Sequence, residues 1–211
     1  MKKTAYIIPV LLLIISLNSI LYAQEENSTD LIRLKADHMS YEENKIIVKK
    51  SVKISRNEYD LSSSYAEIYR EENRAVLKEG VEVLFKKGNI KSRQMNAYFD
   101  EDRFIFEKEV FLEQELDNGN QFDLKAPYLE MFSEDNSFKA ENGVIINYNE
   151  RTLKSEIADY NGKEEKLVLT ENVRIEEKDG WIESNKAEFD MSKEVEKFTA
   201  DGEVELEFEV E

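Results

Sequence analysis

Residues 81–112 read VEVLFKKGNIKSRQMNAYFDEDRFIFEKEVFL. The stretch opens on Val81-Glu82-Val83 and closes on Val110-Phe111-Leu112, 29 residues further on. Between them lie Ala97 and Phe99, the charged turn Asp100-Glu101-Asp102-Arg103 and the apolar triplet Phe104-Ile105-Phe106. Apolar residues alternating with charged ones at a period of two describe a half-buried strand. β-branched and aromatic side chains fill these runs, as pleated strands prefer.

The same pattern runs through the chain in both directions. A valine followed two residues later by an aliphatic occurs at Val52/Ile54, Val81/Val83, Val110/Leu112, Val144/Ile146, Val173/Ile175 and Val204/Leu206. A second anchor, a small or apolar residue followed by a larger one, occurs at Met39/Tyr41, Ala66/Ile68, Ala97/Phe99, Leu129/Met131, Ala158/Tyr160 and Ala187/Phe189. Steps between valines are 29, 29, 34, 29 and 31 residues, and between second anchors 27, 31, 32, 29 and 29. Two anchors with a period near thirty mean an array of six supersecondary units. In each unit the second-anchor strand comes first, then a charged turn, an apolar run, a turn residue (Ser51, Gly80, Gly143, Asn172) and the valine strand. Asp117-Asn118-Gly119-Asn120 reads as a hairpin loop. No break in composition separates the units, so residues 31–211 form one domain.

One unit cannot bury its apolar face alone, but stacked units share a continuous apolar strip. At one rung per unit and about 4.8 Å per rung the strip is roughly 29 Å long. Two such faces turned together make a sandwich, a jelly roll or a β-solenoid. The strip is either a packed core or, in part, an open trough. The small Ala66, Ala97, Ala158 and Ala187 favour room for a ligand beside them. The candidate lining is therefore Tyr41, Val52, Ile54, Ala66, Ile68, Val81, Val83, Ala97, Phe99, Val110, Leu112, Met131, Val144, Ile146, Ala158, Tyr160, Val173, Ile175, Ala187 and Phe189.

Composition narrows the function. The 211 residues carry 29 Lys plus Arg against 46 Asp plus Glu, a net charge of −17, which argues against a nucleic-acid partner. Residues 31–100 hold 14 basic and 11 acidic side chains, whereas residues 101–211 hold 13 and 32. The chain is thus a dipole along its length. Hydrophobic residues at 41% exceed what a disordered acidic tail contains. With no Cys and a single His, thiol chemistry, disulfides and multi-His metal sites are excluded. His38 reads as a surface residue, and the acidic groups Asp100-Glu101-Asp102 and Glu134-Asp135 lack the spacing of a calcium loop. No nucleophile set, phosphate loop or dinucleotide fingerprint is present, so the chain is read as a non-enzyme without a cofactor or metal.

Lys2 and Lys3, the apolar run Ala5–Leu17 and Leu21-Tyr22-Ala23 make a secretory signal peptide, with cleavage expected after Ala23. Residues 24–30 are then a polar leader. The rival is a retained anchor: Ala5–Ala23 is 19 residues, long enough to span a bilayer but interrupted by Pro9, Ser16, Asn18 and Ser19. Either way the body lies outside the cytoplasm.

Three motifs carry a family resemblance: A-D-x-M-x-Y-E at Ala36–Glu42, G-V-E-V at Gly80–Val83 and S-x-x-A-E-F-D at Ser184–Asp190. They resemble the repeat of the OstA-like family, which holds the lipopolysaccharide-transport proteins LptA and LptC and the N-terminal domain of LptD. The resemblance covers residues 31–211. It implies an all-β, partly open, twisted jelly roll of antiparallel strands whose interior shields lipopolysaccharide acyl chains in the periplasm. The implied partners are lipopolysaccharide, further copies joined head to tail, and LptC-like inner-membrane and LptD-like outer-membrane proteins. The alternatives are a ligand-free structural scaffold and a membrane-anchored LptC-like component.

Overall fold

The computed structural model describes residues 33–56, 59–116, 119–192 and 197–209. The signal peptide and leader expected at residues 1–30 lie outside these residues. Fourteen strands form one antiparallel sheet. They are β1 (Arg33–Lys35), β2 (His38–Glu42), β3 (Lys45–Arg56), β4 (Tyr59–Tyr69), β5 (Arg74–Phe85), β6 (Gly88–Tyr98) and β7 (Arg103–Glu115). Then follow β8 (Gln121–Phe132), β9 (Ser137–Tyr148), β10 (Arg151–Asn161), β11 (Lys166–Glu177), β12 (Gly180–Asp190), β13 (Lys197–Asp201) and β14 (Glu205–Phe208). From β3 to β13 each strand pairs with the next in sequence, a meander of hairpins. The charged runs form the turns between strands, as expected; Phe99–Glu101 is a single 3-10 turn.

The repeat has a physical cause that its valines only mark. Just before each valine stand two consecutive residues with positive φ: Lys50-Ser51, Glu79-Gly80, Lys108-Glu109, Asn142-Gly143, Glu171-Asn172 and Gly202-Glu203. Two left-handed residues in succession turn a strand sharply, and Gly and Asn adopt that region at least cost. The intervening strands turn at the same level. Their corners carry Ser63, Ser92, Ser155 and Ser184, all buried. Each hydroxyl donates to the carbonyl two residues on, at 2.8–3.2 Å. In β8 the corner is Ala126-Pro127, where the ladder skips Pro127; a residue with no N–H fits where no ladder bond is made. Every long pairing shifts register at this level. Strands β1 and β2 are the two arms of one such bent strand, and β13 and β14 are the arms of the last.

The sheet is therefore folded along a line of corners into two arms. Inward residues from both arms join one hydrophobic cluster. In the arm that follows the valine corners, Val52, Val81, Val110, Val144 and Val173 lie deepest, all at 2% exposure or less. Direct ring contacts cross between the arms: Phe122 of one lies 5.9 Å from Phe138 of the other, and the Arg151 guanidinium sits 5.7 Å from the Phe198 ring. The six expected units are present, but each adds two strands rather than one. Twelve bent strands at about 4.8 Å spacing give a strip of roughly 53 Å, not 29 Å.

The outer face is laced with ion pairs. Glu67 accepts hydrogen bonds from Tyr65 (2.6 Å) and Tyr69 (2.8 Å), which hold its carboxylate below the ordinary range and push the Tyr65 phenol up to about 12. Lys166 and Lys186 both donate to Glu188 and lower its pKa to about 2. Arg174 bridges Glu176 and Glu183 and lies over the Trp181 ring at 4.6 Å.

Candidate functional site

The interior between the two arms is the candidate site, and the register places its lining row by row. Ile46, Ile68, Ala75, Ala97, Phe104, Met131, Phe138, Tyr160, Leu167, Phe189 and Phe198 are successive cross-strand partners nearest the turns of one arm. Deeper in the same arm run Val48, Ala66, Leu77, Met95, Phe106, Leu129, Ala140, Ala158, Leu169 and Ala187. The facing arm presents Ile54, Leu61, Val83, Ile90, Leu112, Leu124, Ile146, Leu153, Ile175 and Ile182.

Of the residues singled out in the sequence, Val52, Ala66, Val81, Val83, Ala97, Val110, Leu112, Val144, Ile146, Ala158, Val173, Ile175, Ala187 and Phe189 are buried inside. Ile54, Ile68, Met131 and Tyr160 are half-buried at the edge of the same cluster. Two stand apart. Phe99 is not on a strand at all; it opens the 3-10 turn and is exposed. The second anchor of that unit is Met95/Ala97, since Met95 pairs with Leu77 and Phe106 in the deep row. A slip of two residues leaves the same face inward, so alternation alone does not detect it. Tyr41 lies on the strand face but at the open end of the sheet. The four alanines do not border open space as expected: Ala66, Ala158 and Ala187 are 0% exposed and Ala97 is 2%. Two shallow depressions of about 380 and 440 Å³ open on polar surfaces: one is lined by residues such as Glu164, Glu188 and Lys197, the other by Gln121, Asp123 and Asn149 together with the inward-row Tyr148 and Arg151.

Where the apolar interior does meet solvent is at its ends. At one end Met39 and Tyr41 pair with the inward Val48 and Ile46, yet Tyr41 is 61% exposed. At the other, Leu206 pairs with the inward Ile182, and Phe208 is also 61% exposed. Along the side opposite the corners, aromatic pairs line the two lips of the slit; of these, Tyr160 and Phe189 are singled out in the sequence, whereas Phe122, Phe138, Tyr148 and Phe198 are not. Phe138 stacks on Tyr160 at 5.3 Å, Phe122 touches Tyr148 at 6.4 Å, and Phe189 stacks on Phe198 at 5.3 Å. Their signal was available, because Phe122 and Tyr148 each sit two residues beyond an inward anchor, at Leu124 and Ile146.

A β-sheet folded over an apolar interior, ion-paired outside and with exposed apolar side chains at both ends, defines a β-repeat protein. The model of the LptC-related lipopolysaccharide-assembly family matches residues 8–178, and the chain belongs to that family. Among solved structures it is similar to LptH of Pseudomonas aeruginosa, described as the LptA-homologous periplasmic component of the conserved lipopolysaccharide transport device. That similarity is at 11% identity and a TM-score of 0.47, covering 67% of this chain and 83% of that one. No curated protein matches the chain.

Proposed function

We propose that this protein carries lipopolysaccharide through the periplasm with the acyl chains held between the two arms of the sheet. The observation that supports this is the continuity of the apolar rows, which run from β2 to β13 in one arm and from β1 to β14 in the other, with exposed apolar side chains at Tyr41 at one end and Leu206 at the other. A filled scaffold core would be closed by polar residues at its ends, because exposed apolar patches mark binding surfaces. Acyl chains enter by parting the arms, and pass on through an open end to the next protein. Head-to-tail copies, or LptC-like and LptD-like partners, dock on the free edges of β1–β2 and β13–β14, each of which pairs on one side only.

Photocrosslinking in cells tests the reading. A benzophenone side chain at Tyr41 or Phe208 should capture lipopolysaccharide, and one at Ile145, on the outer face between Lys125 and Lys154, should not. Capture of protein alone at both inner positions would leave the scaffold.

A second reading concerns the N-terminus. The family match begins at residue 8, inside the apolar run. That run is then part of what the family shares, which favours an LptC-like component kept in the inner membrane over a carrier released by cleavage after Ala23. The intact mass of the protein in the envelope fraction separates the two.

A further inference from the structure

Tyr148 is the last inward residue of β9 before the turn, and it is 2% exposed. Its hydroxyl has no hydrogen-bond partner among the described residues. The other such atom, Asn89 Oδ1, lies in an outward row, where the same amide donates to Glu113 at 2.8 Å. A buried hydroxyl left unpaired destabilises the fold, and a phenylalanine would pack as well. Phe122, its cross-strand partner, is such a residue. The donor therefore calls for an acceptor that the described residues do not supply.

Its surroundings define the acceptor. Phe122 lies 6.4 Å away and itself touches Phe138 of the opposite arm. On the inward side of Tyr148 the walls are apolar, and on its turn side it borders the polar depression with Gln121 and Asp123. Beside apolar walls and these acidic and amide neighbours a neutral acceptor costs far less to place than an anion. The neighbouring cation in the same row, Arg151, is already engaged by Glu177 at 2.6 Å. Ile146 and Val144 continue inward from Tyr148 along the strand, both buried. A hydrocarbon tail lying on them would place the head end of its chain, where the ester is, at the Tyr148 hydroxyl. We propose that Tyr148 marks a polar subsite in the interior, one whose hydroxyl donates to the ester carbonyl of a long-chain acyl ligand once the Phe122–Phe138 contact has parted. The subsite rests on the lipid-carrier reading and gives it an orientation, tail toward the corners and head toward the turns.

The test is Tyr148→Phe with two single-chain amphiphiles below their micelle concentrations: sucrose monododecanoate, which has an ester carbonyl, and dodecyl maltoside, which has none. Binding is read by displacement of 1-anilinonaphthalene-8-sulfonate, alongside thermal unfolding of the free protein. The variant should unfold at the same or a higher temperature, bind the ester about three- to tenfold more weakly, and bind the maltoside within twofold of wild type. A drop of several degrees in unfolding temperature would overturn the proposal, since it would reveal a partner for the hydroxyl inside the free protein. Equal effects on both amphiphiles, or none, would overturn it too. If wild type binds neither compound, the carrier reading itself fails, which is a different result from a variant that binds both unchanged.

Discussion

Placing a large ring at Ala158 should distinguish a filled interior from a ready-made trough. Ala158 lies in the deep row between Ala140 of β9 and Leu169 of β11, and all three are at most 1% exposed. An indole there has no free volume to enter, so Ala158→Trp must push Leu169 and its neighbours off their rotamers or spread the arms. Overpacking of this kind costs about 3 kcal/mol at the upper end of the usual range. For a domain of this length each kcal/mol moves the unfolding midpoint by about 2–4 °C, so the expected fall is roughly 6–12 °C. Far-UV circular dichroism during a thermal ramp measures it, with Ala158→Ser as the control that changes little volume. A midpoint within about 2 °C of wild type would show that space for the ring exists beside Ala158, and the description of a closed interior would be wrong there.

Three further outcomes follow from the fold. Gly143 has φ +91° and open space where a Cβ would point, so Gly143→Ala is penalised by conformation alone, about 1–2 kcal/mol; Lys108→Gly, at a corner with φ +64°, should not lower the midpoint, and thermal unfolding checks both. Glu188 has its pKa lowered to about 2 by hydrogen bonds from Lys166 and Lys186. Its contribution is therefore present above the ordinary carboxylate pKa and lost as pH falls toward 2, so Glu188→Gln should lower the midpoint at pH 7 and converge with wild type near pH 2. Deleting residues 203–211 removes the β14 ladder on β12, and Leu206→Pro breaks it by taking away a ladder donor. Sedimentation at rising concentration should show wild-type oligomers that both variants weaken, and oligomers indifferent to both would exclude this edge.

The sequence made the period legible because each unit repeats a hydrophobic requirement, and hydrophobic requirements are written in residue type. The valine rows, the strand faces and the charged turns fell where alternation placed them. The corners were harder. Ser51, Gly80, Gly143 and Asn172 mark the turn, but Lys108-Glu109 takes the same left-handed conformation with side chains that give no hint of it. The serine column at 63, 92, 155 and 184 was equally visible, with 29 residues between the members of each pair, yet its meaning depends on a hydroxyl meeting its own backbone. The open trough expected at the alanines failed for a different reason. Small residues in the deep row stand beside bulky cross-strand partners, Ala66 beside Leu77 and both Ala158 and Ala187 beside Leu169, and no single-strand pattern reports its neighbours.

The line of corners also makes the length of this protein editable. Removing residues 144–172 would join one corner to an equivalent corner, delete two bent strands and leave every remaining pairing of the same kind. The array would shorten by about 10 Å, two inter-strand steps. The largest spacing already follows this logic. The step of 34 between Val110 and Val144 takes up its surplus at the hairpin end of β7 and β8, in the connection between Glu115 and Gln121 and in the two strands that flank it, leaving the corner column undisturbed. A chain of this design can be matched to the distance it has to cover in increments of one unit, without inventing a new core at each length.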